Sequence, residues 1–178
     1  MRRRLSTALS AIILSSGLLL ATSCASTPGG QDSTSTEAPA DATDVSGRLD
    51  ALGAIDAALK HSPGAVVEME RATRLWEVTV LREDGSGTEL YINVTTKEVI
   101  RESTAFLSPT QRQAPAVTAA DAIGTAIDEV QGRVIALDLG TERGTVVWEV
   151  LVSAGIGGTF EVYIDAATGD IVKIEREI

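Results

Sequence analysis

The chain is poor in the residues that most often carry chemistry. It has one cysteine, Cys24, and one histidine, His61. A lone cysteine excludes an internal disulfide framework and a Cys/His zinc cluster. His61 stands beside Ser62-Pro63-Gly64 at an expected helix end, with no Ser-His-acid or Cys-His arrangement around it. There is no His-Glu-x-x-His zinc motif. Acids are plentiful, but no pair stands in a context that would hold one carboxyl protonated. The expectation is a non-enzyme without a cofactor or a metal.

Basic residues are also scarce. Fifteen Lys and Arg face 25 Asp and Glu, and three of the fifteen are Arg2, Arg3 and Arg4 at the amino end. Without that end the balance is 12 − 25 = −13. A basic patch for nucleic acid is therefore not expected. Adsorption of the folded body to anionic lipid is disfavoured for the same reason. Aromatics number six, two each of Trp, Tyr and Phe, so each one is informative.

Apolar residues between Leu5 and Ala21 are interrupted by five Ser and Thr and by Gly17. A membrane-spanning helix needs ~20 predominantly apolar residues. This run, with its basic head and the small residues that follow it, reads better as an export signal over residues 1–23 than as a span. Arg3-Arg4 also permits a twin-arginine reading, which nothing else nearby supports. Leu20-Ala21-Thr22-Ser23-Cys24 resembles a bacterial lipobox, with Ala21 where Leu is usual. That resemblance implies cleavage before Cys24 and a diacylglyceryl group on its thiol, hence a protein on the cell membrane facing outward. Acyl chains contribute ~0.8 kcal/mol per buried methylene, so two or more hold a protein firmly on a bilayer. Residues 24–45 contain Ser, Thr, Pro, Gly, Ala and acids without apolar periodicity, which predicts a flexible tether. A coil of ~20 residues spans on the order of 25 Å.

What the folded part does have is a repeat. Trp76-Glu77-Val78-Thr79-Val80 recurs as Trp148-Glu149-Val150-Leu151-Val152, and Glu89-Leu90-Tyr91-Ile92-Asn93 recurs as Glu161-Val162-Tyr163-Ile164-Asp165. Both offsets are 72 residues, the signature of an internally repeated architecture. Each unit is expected to begin with a helix. In the first, Leu49, Leu52, Ile55 and Leu59 form an apolar stripe that Pro63-Gly64 stop. In the second, Thr118 and Asp121 read as a capping box ahead of Ala122, Ile123, Ala126, Ile127 and Val130. Gly132 then occupies the usual place of a left-handed cap.

Extended runs are expected near 65–71, 74–82, 88–94 and 97–103, and again near 133–139, 145–153, 159–165 and 170–177. Alternation sets Trp76, Val78 and Val80 on one face and Glu77 and Thr79 on the other, and short connections make the sheet an antiparallel meander. The expected fold is α+β: two repeated modules, 46–103 and 116–178, joined by a linker at 104–115. Each has one helix packed on an antiparallel meander of three to four strands. Units of ~60 residues bury only about 60% of their unfolded surface, so a shared interface or a continuous sheet is expected to stabilise them. Trp76 and Trp148 read as the largest core pieces. Asp165-Ala166-Ala167-Thr168-Gly169-Asp170 reads as a tight turn rather than a calcium loop, and the first unit has Asn93-Val94-Thr95-Thr96-Lys97-Glu98 there, without Gly.

The order helix, Gly, strand, Trp-x-Val strand, Gly-rich turn and x-Val-Tyr-Ile-Asp-x-x-Thr-Gly-x-Ile-Val resembles the PepSY domain, through Trp148, Tyr163, Asp165, Thr168 and Gly169 in the second unit. The first unit shares Trp76 and Tyr91 and lacks the Asp and Gly of the last turn. The resemblance implies a binding or regulatory module outside the cytoplasm, of a kind found in propeptides of metallopeptidases, and supplies no catalytic residues. The implied partner is an envelope or secreted protein, a peptidase among the candidates, occluded sterically. The candidate partner surface is the solvent face of the sheet: Glu77, Glu89, Tyr91, Glu149, Glu161 and Tyr163, with Tyr a residue that favours interfaces. The plainer alternative is that these residues are a solvated sheet face. A second functional reading is a small molecule or ion held in a cleft between the two modules, and a third is a structural lipoprotein in which the second copy adds only stability.

Overall fold

The architecture is that of a computed structural model, which describes residues 47–177. The signal segment, the tether and Cys24 lie outside the described residues. In chain order the elements are α1 (Ala51–His61), β1 (Ala65–Arg71), β2 (Leu75–Leu81), β3 (Gly87–Asn93), β4 (Val99–Ala105), α2 (Ala119–Glu129), β5 (Arg133–Glu142), β6 (Thr145–Ser153), β7 (Thr159–Asp165) and β8 (Ile171–Glu177), with a short 3₁₀ turn at Gly155–Gly157. The strands form one eight-stranded sheet in the order β4-β3-β2-β1-β5-β6-β7-β8, antiparallel throughout. Both helices pack on one face. Among the described residues no helix is long and apolar enough to cross a membrane.

The first strand of each half meets its counterpart in the middle. Glu68 pairs with Asp138, Met69 with Leu137 and Glu70 with Ala136. The expected coupling between the halves is thus a continuous sheet, and no groove separates two sheets at this junction. Val67, Met69, Trp76, Val78, Val80, Leu90 and Ile92 from the first half join Leu137, Leu139, Trp148, Val150, Val152, Val162 and Ile164 from the second in a single buried cluster beneath the helices.

Both tryptophans are buried, as the repeat predicts, and each has a further task. Trp76 Nε1–H donates to the Leu49 carbonyl at 2.9 Å, and Trp148 Nε1–H donates to the Val117 carbonyl at 2.9 Å. A buried indole N–H needs such a partner. The backbone N–H of Leu49 donates to Val94 O and that of Val117 to Ala166 O, so each helix entry is tied to the sheet on both sides of one residue. Asp50 caps α1 by accepting from Gly53 N–H, and Thr118 with Asp121 forms the expected capping box on α2.

Three details differ from expectation. The stripe on α1 holds at Leu49, Ile55 and Leu59 but not at Leu52: Leu49 is buried just ahead of the helix, Leu59 packs against the core and Leu52 is 45% exposed, while Ala51, Ala54 and Ala58 complete the face toward the sheet. Small residues let the helix lie close over a sheet that already carries a tryptophan. Gly132 is not a left-handed cap. Its φ is not positive, and α2 ends at Val130 in an extended conformation. A Cβ at Gly132 would instead lie 2.6 Å from the Ser153 carbonyl oxygen, and one at Gly64 would overlap the Leu81 carbonyl oxygen. Both glycines are there for close backbone approach. Finally, the two terminal turns are alike despite their sequences. Asn93 Oδ1 accepts from Thr95 and Thr96 N–H as Asp165 Oδ1 does from Ala167 and Thr168 N–H, and Lys97 adopts the left-handed φ that Gly169 has.

The β5–β6 hairpin, with strands of 10 and 9 residues against 7 and 7 for β1 and β2, closes on Arg143 and Gly144, both at positive φ, the signature of a two-residue turn. Gly132→Ala is expected to destabilise the protein by about 2 kcal/mol, because the backbone contact cannot yield. Gly124→Ala, at a helical site with open space around a new Cβ, is expected to stabilise it by about 0.5–1 kcal/mol. Chemical denaturation of the two variants checks both signs.

Candidate functional site

Alternation in eight paired strands sends every second side chain to the face opposite the helices. Registers then align these residues into two transverse rows. One runs Arg101, Tyr91, Glu77, Glu70, Ala136, Leu151, Glu161, Glu175, and the other Ser103, Glu89, Thr79, Glu68, Asp138, Glu149, Tyr163, Lys173. All six residues expected on the solvent face therefore do lie on one face. Glu77, Glu89 and Tyr91 fall on β2 and β3, and Glu149, Glu161 and Tyr163 on β6 and β7. The β1–β5 junction separates the two groups.

The tyrosines are engaged within the sheet. Tyr91 O–H donates to Glu89 at 2.5 Å and Tyr163 O–H to Glu161 at 2.6 Å. The Arg101 guanidinium lies 3.5 Å from the Tyr91 ring centroid and the Lys173 ammonium 3.8 Å from that of Tyr163. Such cation–π contacts hold the rings flat. Tyr163 is only 7% exposed. Both phenols are pushed up in pKa, Tyr91 by its bond to Glu89 and then by burial, Tyr163 by burial and then by its bond to Glu161.

Between the basic flanks the face is acidic. Glu68, Glu70 and Asp138 belong to it although only the β2–β3 and β6–β7 acids were expected; the alternation of Val67 and Met69 with Glu68 and Glu70 carries the signal. Like charges opposite one another destabilise a sheet. Here the segment after β4 intervenes. Residues 106–115 run across the open face from the outer edge to the centre. Leu107 seats against Gly87, where a Cβ would meet its Cγ at 2.7 Å. Gln111, 6% exposed, donates from Nε2 to Glu68 at 3.2 Å and to Asp138 at 2.8 Å, while its Oε1 accepts from Ser108 N–H. Thr110 and Thr141 hydroxyls meet at 3.1 Å. The segment expected as a plain linker is a strap over the junction. Polar loop composition alone gave no sign that Gln111 is buried.

Burial is the main cause of raised carboxyl pKa values here. It acts first on Glu68, Glu77, Asp138 and Glu149, and neighbouring carboxylates add to it for Glu68, Glu77 and Glu149, while Gln111 holds Asp138 back. Glu149 is pushed up to about 7, with Glu161, Asp138 and Glu142 as its acidic neighbours. No such pair was visible in the sequence, because Asp138 and Glu161 come to Glu149 only through strand register. Among the described residues no group of three or more His, Cys, Asp and Glu is arranged to hold a metal ion. His61 lies on the other side, paired at 3.0 Å with Glu102. A cleft of about 390 Å³ lies between the strap and the end of the second half, lined by Pro109, Pro115, Leu139, Val146 and Ala166 among others.

A carboxyl whose folded pKa is raised binds its proton more tightly in the folded state. Its effect on stability is absent below the unfolded pKa of 4.5 and becomes a full penalty as pH rises past about 7. Glu149→Gln is therefore expected to match the parent near pH 4.5. It should exceed the parent in stability by on the order of 1 kcal/mol at pH 8, after allowance for solvent screening. Urea midpoints at the two pH values check this. A gain that does not grow with pH contradicts it.

The comparisons with known proteins follow this geometry. The family profile described as "Peptidase propeptide and YPEB domain", PepSY, matches residues 116–175. Three solved structures are similar. A "putative lipoprotein" of Clostridium difficile 630 is 18% identical, with 67% of this chain and 87% of that chain covered and a TM-score of 0.42. The YpmB protein of Bacillus subtilis is 21% identical, with 71% and 97% covered and a TM-score of 0.35. The C-terminal domain of Bacillus megaterium YpeB is 17% identical, with 70% and 64% covered and a TM-score of 0.31. No curated protein matches the chain.

Proposed function

Residues 116–175 are a PepSY domain, and from that premise we propose that the chain is a non-catalytic, extracytoplasmic protein-binding module. The observation that carries this reading is the sheet face opposite the helices: Glu77 and Glu89 on one side of the strapped Glu68–Asp138 pair and Glu149 and Glu161 on the other, with Arg101 and Lys173 on the outer strands. Acidic side chains spread over several strands suit a protein better than a small molecule. Their charge suits a partner with a basic surface, which the face would occupy sterically. The family's association with peptidase propeptides makes a secreted or envelope peptidase the partner class of choice.

In the same reading, residues 46–103 form a first PepSY-like module and residues 116–178 a second. Support comes from features that recur in place: the Trp76 and Trp148 hydrogen bonds, the irregularities at Val66/Glu68 and Val134/Ala136, and the turns at Asn93 and Asp165. The signal segment and Cys24 give the anchor, so that lipid alone contacts the membrane and the face meets partners beyond the tether. The cleft beside the strap favours a second reading, a small apolar ligand. It lies against the second half and not between the two modules, and it is lined by one strap and a few strand-end residues.

One experiment tests the main reading and the anchor together. The full chain is captured from its own envelope, alongside Cys24→Ala and a Glu77→Lys, Glu161→Lys double variant. The parent and the double variant are expected in the membrane fraction and Cys24→Ala outside it. A basic-surfaced protein, a peptidase in the favoured case, should be enriched by the parent and lost by at least tenfold from the double variant. Equal enrichment by both would remove the open face from the proposal, and unchanged membrane retention of Cys24→Ala would remove the anchor.

A further inference from the structure

The eight-stranded sheet is not closed. It ends on β4 and β8, each with one side of its backbone unpaired by any strand among the described residues. Such edges are templates for further pairing unless something blunts them. The two are blunted unequally. On the helix side β4 carries Glu102, held by His61 at 3.0 Å and Arg82 at 3.9 Å. At the corresponding place β8 has Ile174, with Arg176 beyond it on the same side beside the Phe160 ring. Ile174 is 38% exposed, and Ile171 and Val172 before it are 37% and 48% exposed.

The side chains of β8 also complement themselves. An antiparallel pair of identical strands related by a two-fold axis normal to the sheet brings residues of the same face opposite each other. Full overlap of Ile171–Glu177 with a second copy is reached in one register, centred on Ile174. There Ile174 faces Ile174, and Lys173 faces Glu175 of the second copy, twice by symmetry. Shifting the axis by one residue sets Lys173 against Lys173 or Glu175 against Glu175, which is repulsive. Lys173 already lies 3.1 Å from Glu175 and 3.2 Å from Glu142 of its own chain. The pairing would therefore complete a square of alternating charges on the open face, with isoleucines meeting on the other. The bulge at Val172 leaves the stretch from Lys173 onward as the regular part of the strand.

β4 lacks this property. Its only charges, Arg101 and Glu102, are adjacent in sequence and so point to opposite faces, and no symmetric register sets them against each other.

We propose that β8 is a self-association edge: two copies pair antiparallel through Lys173–Glu175 and extend the sheet across a two-fold axis. The proposal is independent of what the open face binds. A single strand pair buries less than the ~1,200 Å² of a standard interface, so the dimer is a weak one in solution.

Disulfide trapping in native membranes tests it with the full chain. Opposed antiparallel residues have Cα atoms ~4.5–5.5 Å apart, within disulfide range. Mild oxidation of Ile174→Cys is expected to give a covalent dimer at several times the yield of the unsubstituted chain, whose only cysteine is Cys24. Ile100→Cys, on the other edge, is expected to stay at background. Adding Lys173→Glu to Ile174→Cys should lower the yield several-fold, and adding Lys173→Glu with Glu175→Lys should restore it. Equal trapping at positions 100 and 174 would mean random collision and overturn the proposal. So would a charge swap that fails to restore the dimer. Sedimentation of the parent against Lys173→Glu over a concentration series gives the same reading without a new cysteine: a monomer–dimer equilibrium lost in the variant supports it, and identical monomers overturn it.

Discussion

The pairing of β1 with β5 is the contact on which the rest of the molecule depends. Its three residue pairs convert two four-stranded meanders, each too small to bury much surface, into one sheet with one core. The same register creates an electrostatic problem by setting Glu68 opposite Asp138. Gln111 answers it with the two N–H groups of one amide, one to each carboxylate, at a site from which water is largely removed. A buried, bridged pair of this kind stabilises only when its donors are in place. The strap is thus part of the junction and not a spacer between independent pieces.

From that junction the candidate face follows. Register carries the rows outward on both sides, so that the acids of β2 and β3 and those of β6 and β7 share one surface. The cations at the two outer strands lie over the tyrosines and not over the central carboxylates. Burial comes first among the causes that raise the pKa values of Glu68, Glu77, Asp138 and Glu149, and repulsion between carboxylates adds to it at Glu68, Glu77 and Glu149. In the proposed reading, a basic partner would offset the repulsive part of that cost.

Much of this was legible in the sequence because it rests on local periodicity. Strand positions follow from alternation, and the observed strands begin and end within about three residues of expectation. The capping box at Thr118 and Asp121 and the burial of Trp76 and Trp148 were equally readable. Features set by distant neighbours were not. Gly132 looked like a helix cap because it follows a helix, yet its reason is a carbonyl 21 residues away, at Ser153. Leu52 looked buried by spacing and is displaced by alanines that suit the tryptophan beneath. Lys97 without glycine looked like a lost turn, although the asparagine four residues before it suffices to build one. Gln111 had no local signal at all, since only the β1–β5 register puts two carboxylates within its reach.

The central claim is that the two halves fold and open as one unit through β1–β5. Hydrogen exchange of the Val78→Ala variant tests it most directly. Val78 is buried in the first half, and losing its two methyls should cost about 2 kcal/mol. One cooperative unit predicts that the slowest amides of β6 and β7, in the other half, exchange roughly 30-fold faster, in step with those of β2 and β3. Unchanged protection in β6 and β7, with acceleration confined to the first half, would contradict the account.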